Sequence, residues 1–381
     1  MKELVKNNSL YFFFVFTQIL VVLLGTQKDN IVGENIQLNN AIFYHFAGLL
    51  FFTLGYIPIS PKAFINYSKI EKKVIIFSNK FFVLGYIFSI VGIITSIATV
   101  GSIISPTEYL TLLFSGESNL MEIRYEAGSQ GLEGVFKMMN YAPVGVFLIT
   151  SAFSTFFIIR EDDKKRVNRL VFFSIMGCVV KVFFSLDRLT ILAIVLVFFY
   201  KYFLVNKLNL KYIIYIFLIF FLLSFVTASR MNGSSIFDFL VTYFKLSIAN
   251  FELVIENQKT QSYGFNTFLL PLWYIMKFFG IDYQVPEPEV WIWAPAQYFA
   301  SYLYIDFGLM SFLFFLIIGF FVRRIQVKAI KGSLNYISVY FIVLFVLASF
   351  ASVPIIRGVE FWLLLLLAFF LCFTVKTEGQ K

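Results

Sequence analysis

Residues 81–104 read FFVLGYIFSIVGIITSIATVGSII, a run without one charged side chain. As a helix rising 1.5 Å per residue it is long enough to cross a ~30 Å hydrocarbon core, whereas apolar runs of roughly 10–14 residues belong to soluble cores. This run sets the reading of the chain. Similar runs occupy approximately 10–25, 41–59, 139–159, 170–186, 189–205, 212–228, 297–322, 336–353 and 361–375. Of the 381 residues 59% are hydrophobic and 14% charged, against about 25% charged in soluble domains. These numbers exclude a soluble enzyme. They predict an all-α, polytopic integral membrane protein of about ten transmembrane helices, with 1–381 as a single transmembrane domain.

Charge then orients the spans. With both termini in the cytoplasm, 21 of the 31 Lys and Arg fall on inner segments and 16 of the 22 Asp and Glu on outer ones. The bias follows the positive-inside rule, so the formal charge of +9 reports orientation and implies no nucleic-acid partner. The apolar stretch behind Lys2 and Lys6 resembles a signal peptide but lacks a small-residue cleavage site, so it is expected to remain as the first helix.

Two outer segments are too long to be simple turns: 105–137, and a large periplasmic loop, 231–296, between spans 7 and 8. Long loops carry function, which puts the activity at the outer face. Within the second, 236–256 is amphipathic enough to lie along the interface, and 267–280 is apolar but too short to span, hence interfacial or re-entrant. Trp273, Trp291 and Trp293 suit an interfacial belt.

Ionisable residues in or beside spans point to a site. Lys181 lies seven residues before Arg188, so on one continuous helix the two cations share a face. The structural alternative is that Lys181 pairs with a neighbouring carboxylate for packing. Arg188, Arg230 and Arg357 stand at the outer ends of three helices, on a face that is otherwise acidic. Converging guanidinium groups are what a pyrophosphate needs, because each planar fork grips phosphate oxygens and stays charged; singly, each is an interfacial anchor. Tyr298, Tyr302 and Asp306 recur at i, i+4 and i+8 as a polar strip on the eighth span. Asp306 is open to three readings: a base, a helix-packing hydrogen bond, or the partner of an arginine, which is preferred. Glu252 and Glu256, one turn apart, and Glu287 and Glu289 are further acids, with solvated loop surface as their alternative. His45 is the one histidine, and Cys178 and Cys372 sit in apolar runs without CxxC spacing, so neither a metal site nor a cofactor is expected.

From Ser229 onward the chain resembles the Wzy-type oligosaccharide repeat-unit polymerases, also called O-antigen polymerases. The likeness lies in Arg230 just beyond a span, in Tyr263-Gly264-Phe265-Asn266-Thr267, and in Tyr302-Leu303-Tyr304-Ile305-Asp306-Phe307-Gly308; Asp187-Arg188-Leu189-Thr190 also looks like an Arg-containing turn of that family. Ser311 stands where a second glycine is common. The resemblance implies a metal-independent, inverting glycosyltransferase of a bacterial inner membrane, acting at its periplasmic face in lipopolysaccharide biosynthesis. Donor and acceptor would be undecaprenyl-pyrophosphate-linked oligosaccharides, and a chain-length regulator is an expected protein partner. Under it Asp306, Glu252 and Glu256 are candidate catalytic residues, and Arg188, Arg230, Arg357 and Lys181 candidate pyrophosphate ligands. Tyr263, Asn266, Tyr298, Tyr302, Trp291 and Trp293 are candidate sugar contacts. An O-antigen ligase and a lipid-linked oligosaccharide flippase are the competing readings. The large loop lacks the histidine common in ligases, and a flippase needs its cations at the bilayer midplane rather than at helix ends.

Overall fold

The computed structural model describes residues 2–26, 38–57, 73–115, 123, 126, 138–185, 187–201, 236–258, 261–281, 298–350 and 355–378. The described chain is mostly helical. Its first half comprises α1 (Lys2–Asn7), α2 (Ser9–Gly25), α3 (Asn39–Tyr56), β1 (Val74–Phe77), α4 (Asn79–Gly101), α5 (Pro106–Ser115), α6 (Ala142–Phe156), β2 (Ile158–Ile159), α7 (Glu161–Ser185) and α8 (Arg188–Phe198). There follow α9 (Ile236–Asn257), α10 (Leu269–Phe278), α11 (Phe299–Phe307), a 3-10 turn (Gly308–Met310), α12 (Ser311–Ile330), α13 (Leu334–Ser338), α14 (Tyr340–Ser349), a second 3-10 turn (Ile355–Arg357), α15 (Val359–Cys372) and β3 (Val375–Thr377).

Among the described residues three helical stretches are long and apolar enough to cross a membrane: α4, α7, and α11 with α12 as Phe299–Ile330. The runs Ser9–Gly25, Ala142–Phe156, Leu334–Ser349 and Val359–Cys372 form shorter apolar helices. This is the pattern of a membrane protein. The run at 212–228 lies outside the described residues.

The sequence reading needs four corrections. The helices outrun the apolar stretches 170–186 and 297–322, since α7 begins at Glu161 and α12 continues to Ile330. The run 297–322 is not one uninterrupted helix: Gly308, with φ +55°, breaks α11 from α12 in a conformation that suits a residue without Cβ. Lys181 and Arg188 are not on one continuous helix, because α7 ends at Ser185 and Asp187 caps α8. Finally, the chain is not purely α. β1 pairs in parallel with β2, in register Val74↔Ile158, and antiparallel with β3, in register Ile75↔Thr377.

The chain divides into two compact units built from interleaved segments. The first contains 1–67, 237–327 and 346–362; the second contains 68–236, 328–345 and 363–381.

In the first unit, α12 supplies partners for backbone groups that helix ends leave unpaired. Gln326 Oε1 accepts from the amide of Leu10 in the first turn of α2 (3.0 Å), and Arg323 donates to the carbonyl of Tyr56 at the end of α3 (2.8 Å). A Cβ added at Gly55 would strike the backbone of Leu316, and one at Gly319 the backbone of Phe52. Helices α3 and α12 therefore touch backbone to backbone, as small residues allow in apolar surroundings.

In the second unit, all three strands sit at helix ends: β1 precedes α4, β2 links α6 to α7, and β3 follows α15. The Ser78 hydroxyl starts α4 by accepting from the Phe81 amide (3.4 Å). Glycines let the helices close on one another: Gly85 faces Leu170, Gly92 and Gly177 face Pro143 from two sides, and Gly145 faces Leu364 and Leu367.

Pro143 thus fills a slot made by two missing side chains, and enlarging either wall should open it. Gly92→Leu is expected to destabilise the protein by roughly 1–3 kcal/mol through overpacking, lowering its melting temperature in detergent. Ile90→Ala, at a position 45% exposed, should melt like the parent. Equal melting of the two variants would contradict this packing.

Candidate functional site

The polar strip of α11 is built as the spacing predicts, and each member has a different task within the first unit. Tyr298 is buried and donates to Gln18 Oε1 in α2 (2.7 Å). Its ring stacks on His45 with centroids 5.1 Å apart, and His45 Nε2 meets the carbonyl of Gln18 at 3.0 Å. One turn on, Tyr302 is buried and carries the Arg357 guanidinium over its face, 3.8 Å from the ring centroid. That contact keeps the cation on an aromatic platform.

Asp306, a further turn along, is fully buried and holds the segment 262–267. Oδ1 accepts from the Ser262 hydroxyl (2.5 Å) and the Asn266 amide (2.9 Å); Oδ2 accepts from the Thr267 amide (2.6 Å). The backbones also meet, with the Ser262 amide donating to the Ile305 carbonyl and the Tyr263 amide to the Asp306 carbonyl (3.2 and 3.1 Å). Asn266 is buried too, and its side-chain amide donates to Ser262 Oγ (2.7 Å). Among the described residues the Asp306 carboxylate thus organises a turn, and Arg357 meets Tyr302.

That turn presents one side chain. Tyr263 has φ +49°, left-handed for a bulky residue, and is 77% exposed; Gly264 follows at φ +99°. Non-glycine residues in this region persist only where their surroundings impose the conformation, and they concentrate at functional sites. Asp306 supplies the imposition here, so an aromatic face is held outward on a rigid mount.

Glu252 is also committed to structure. Its two oxygens accept from the Asn40 side chain (2.7 Å) and the Ala41 amide (2.6 Å), capping α3, and the residue is buried. Glu256 is exposed on the same helix, α9.

In the second unit, Lys181 Nζ lies 2.9 Å from Asp187 Oδ2 and 3.7 Å from the centroid of Tyr141. Asp187 also accepts from the Leu189 amide (3.0 Å) and the Thr190 hydroxyl (2.7 Å), fixing the start of α8 and with it Arg188, its first residue. Lys181 is thus placed as in its packing alternative. Arg230, Trp291, Trp293, Glu287 and Glu289 lie outside the described residues. No group of three or more His, Cys, Asp or Glu suited to a metal occurs among the described residues.

Sequence reasoning missed Gln18 and Ser262. Gln18, a polar side chain in the middle of an apolar run, was a usable signal. Ser262, one hydroxyl in a polar loop, gave none. No protein-family model, curated protein or solved structure matches the chain.

Two results test these assignments. Asp306→Asn turns an amide towards a donor and should lose about 1–3 kcal/mol, with faster hydrogen exchange at 262–267 than in α4; unchanged exchange there would rule out the mount. Lys181→Met strands a buried carboxylate and should cost roughly 3–5 kcal/mol. The double variant Lys181→Met/Asp187→Asn, which keeps a cap at α8, should melt above the single variant.

Proposed function

We propose that the chain is a membrane glycosyltransferase that polymerises undecaprenyl-pyrophosphate-linked oligosaccharide repeat units at the outer leaflet of a bacterial inner membrane. One observation carries this reading. The two segments through which the sequence resembles Wzy-type polymerases, 263–267 and 302–308, are tied together by Asp306, and Arg357 rests on Tyr302 of the second. Short motifs alike by chance have no reason to meet; these form one hydrogen-bonded unit.

In the reaction an acceptor hydroxyl oxygen attacks the anomeric carbon of the donor glycan, a new C–O bond forms, and the bond to the pyrophosphate breaks. Undecaprenyl pyrophosphate leaves with the electron pair, and the hydroxyl proton passes to a base. The Arg357 guanidinium, held over the Tyr302 ring, offsets the charge that develops on the leaving group, and Arg188 and Arg230 are the further candidates for that role from the sequence. Tyr263 stacks on a sugar ring. Asp306 and Glu252 act by holding the scaffold, and Glu256, exposed on α9, takes the proton.

The ten-span orientation has a separate support. Strands paired in one sheet lie about 4.8 Å apart, so β1, β2 and β3 share one side of any bilayer. The charge count puts all three segments on the inner side.

The test incubates the purified protein with a single lipid-linked repeat unit and resolves the products by length. A ladder with release of undecaprenyl pyrophosphate is expected. Arg357→Ala, Arg188→Ala and Arg230→Ala should each reduce the ladder by about 10²-fold or more, and Tyr263→Ala should weaken acceptor or donor binding with the protein still folded. Transfer only to a lipid A core would indicate a ligase, and movement of the lipid without new bonds a flippase.

A further inference from the structure

A surface groove of the second unit is lined by none of the candidate site residues. It is an open groove of about 520 Å³ between α4 and α7, lined by Tyr86, Lys165, Asn168, Arg169, Phe172 and Phe173. The two helices run side by side in the same direction from the sheet: Arg166 donates to Asn79 at the start of α4 (2.9 Å), Gly85 faces Leu170, and Tyr86 meets Phe173 edge to face at 5.5 Å.

Position along α7 sorts the lining by chemistry. Residues 165, 168, 169 and 172 follow the i, i+3, i+4, i+7 pattern of one helix stripe, polar in its first turns and aromatic after. The basic end lies beside the sheet, where α7 is too charged to enter hydrocarbon. The aromatic end leads to an exposed apolar surface: Phe172 is 66% exposed, and Val83 and Ile90, one turn either side of Tyr86, are 55% and 45% exposed. The groove therefore straddles a boundary between a polar and an oily layer.

The cations on this stripe differ from their neighbours. Arg160 pairs with Asp162 (2.9 Å), Lys164 with Glu161 (2.7 Å), and Arg166 binds Asn79 and covers the Phe82 ring at 4.0 Å. Lys165 and Arg169 are exposed in the groove and make no ion pair or hydrogen bond among the described residues. The nearby acids are engaged elsewhere: Glu161 and Asp162 in those pairs, and buried Asp163 towards the Phe77 amide at 3.5 Å. Two unneutralised positive charges thus sit above an aromatic slot.

We propose that this groove binds an anionic phospholipid, its phosphodiester held by Lys165 and Arg169, its ester region beside Asn168, and its acyl chains against Phe172, Phe173 and Tyr86. A zwitterionic headgroup would bring its own cation towards two others. Free phosphate would leave the aromatic half of the groove unused. The site is separate from the glycosyltransferase reading and does not depend on it.

The experiment reconstitutes the full chain in nanodiscs containing equal phosphatidylglycerol and phosphatidylcholine, transfers it to detergent, and counts retained lipids by native mass spectrometry. The parent should retain phosphatidylglycerol over phosphatidylcholine by roughly tenfold, in line with two cations near a membrane surface. Lys165→Gln/Arg169→Gln should lose that preference without a change in melting, because both side chains are exposed. Arg160→Gln/Lys164→Gln removes the same charge outside the groove and should keep it. The proposal is overturned if the groove variant retains the preference, if both double variants lose it equally, or if millimolar inorganic phosphate displaces the lipid from the parent.

Discussion

A buried carboxylate is tolerable only when hydrogen-bond donors surround it, and in the first unit Asp306 finds three, all from 262–267. Those bonds join segments some forty positions apart in the chain. They also specify conformation: with the Asn266 and Thr267 amides and the Ser262 hydroxyl all converging on one side chain, the intervening turn has few ways to run. Tyr263 is left at positive φ with its ring in the open. The strain in that residue and the burial of that acid are two sides of one arrangement, since the hydrogen bonds that compensate the charge are those that hold the turn.

The apolar runs were legible because a bilayer imposes length, and absence of charge is the one feature a spanning stretch must show. Their ends were not. Charge marks where hydrocarbon stops, not where the helix stops, so Glu161–Arg169 and Arg323–Ile330 fell outside the apolar runs although both are helical. The sheet was invisible for a different reason. Strands of two to four residues establish no alternation: Ile158–Ile159 read as the end of a span, and Val74–Phe77 lay between two of them. The i, i+4, i+8 strip of Tyr298, Tyr302 and Asp306 was legible from helical period alone. Its partners, Gln18, Arg357 and Ser262, were not, because long-range contacts leave no local pattern.

The second unit shows the same logic with charges of both signs at each end of α7. Near the sheet, Arg160, Lys164, Lys165, Arg166 and Arg169 crowd the first turns of α7, with three acids among them. At the other end of the helix Lys181 is the lone cation within the apolar stretch, and it is tolerated because Asp187 folds back from the start of α8 to meet it. That ion pair is also a cap: one carboxylate neutralises the ammonium and accepts the Leu189 amide. Arg188 is then carried on a helix end whose position is fixed from within the unit.

Asp187, Glu252 and Asp306 share a feature that bears on how acids in apolar chains are read. Each accepts at least one backbone amide at the start of a helix or turn: Leu189 for Asp187, Ala41 for Glu252, Asn266 and Thr267 for Asp306. Helix starts expose amides without intrahelical partners and a positive dipole end, and where water is scarce a carboxylate answers both at once. An intramembrane acid thus has a structural explanation that competes directly with the functional one. Applied here, it gives Asp306 and Glu252 structural roles and sets them apart from groups the described scaffold does not engage. In the first unit those are the exposed Tyr263 ring and the Glu256 carboxylate. Asp306 and Glu252 are buried with both carboxylate oxygens bonded within the fold, whereas Tyr263 and Glu256 are exposed.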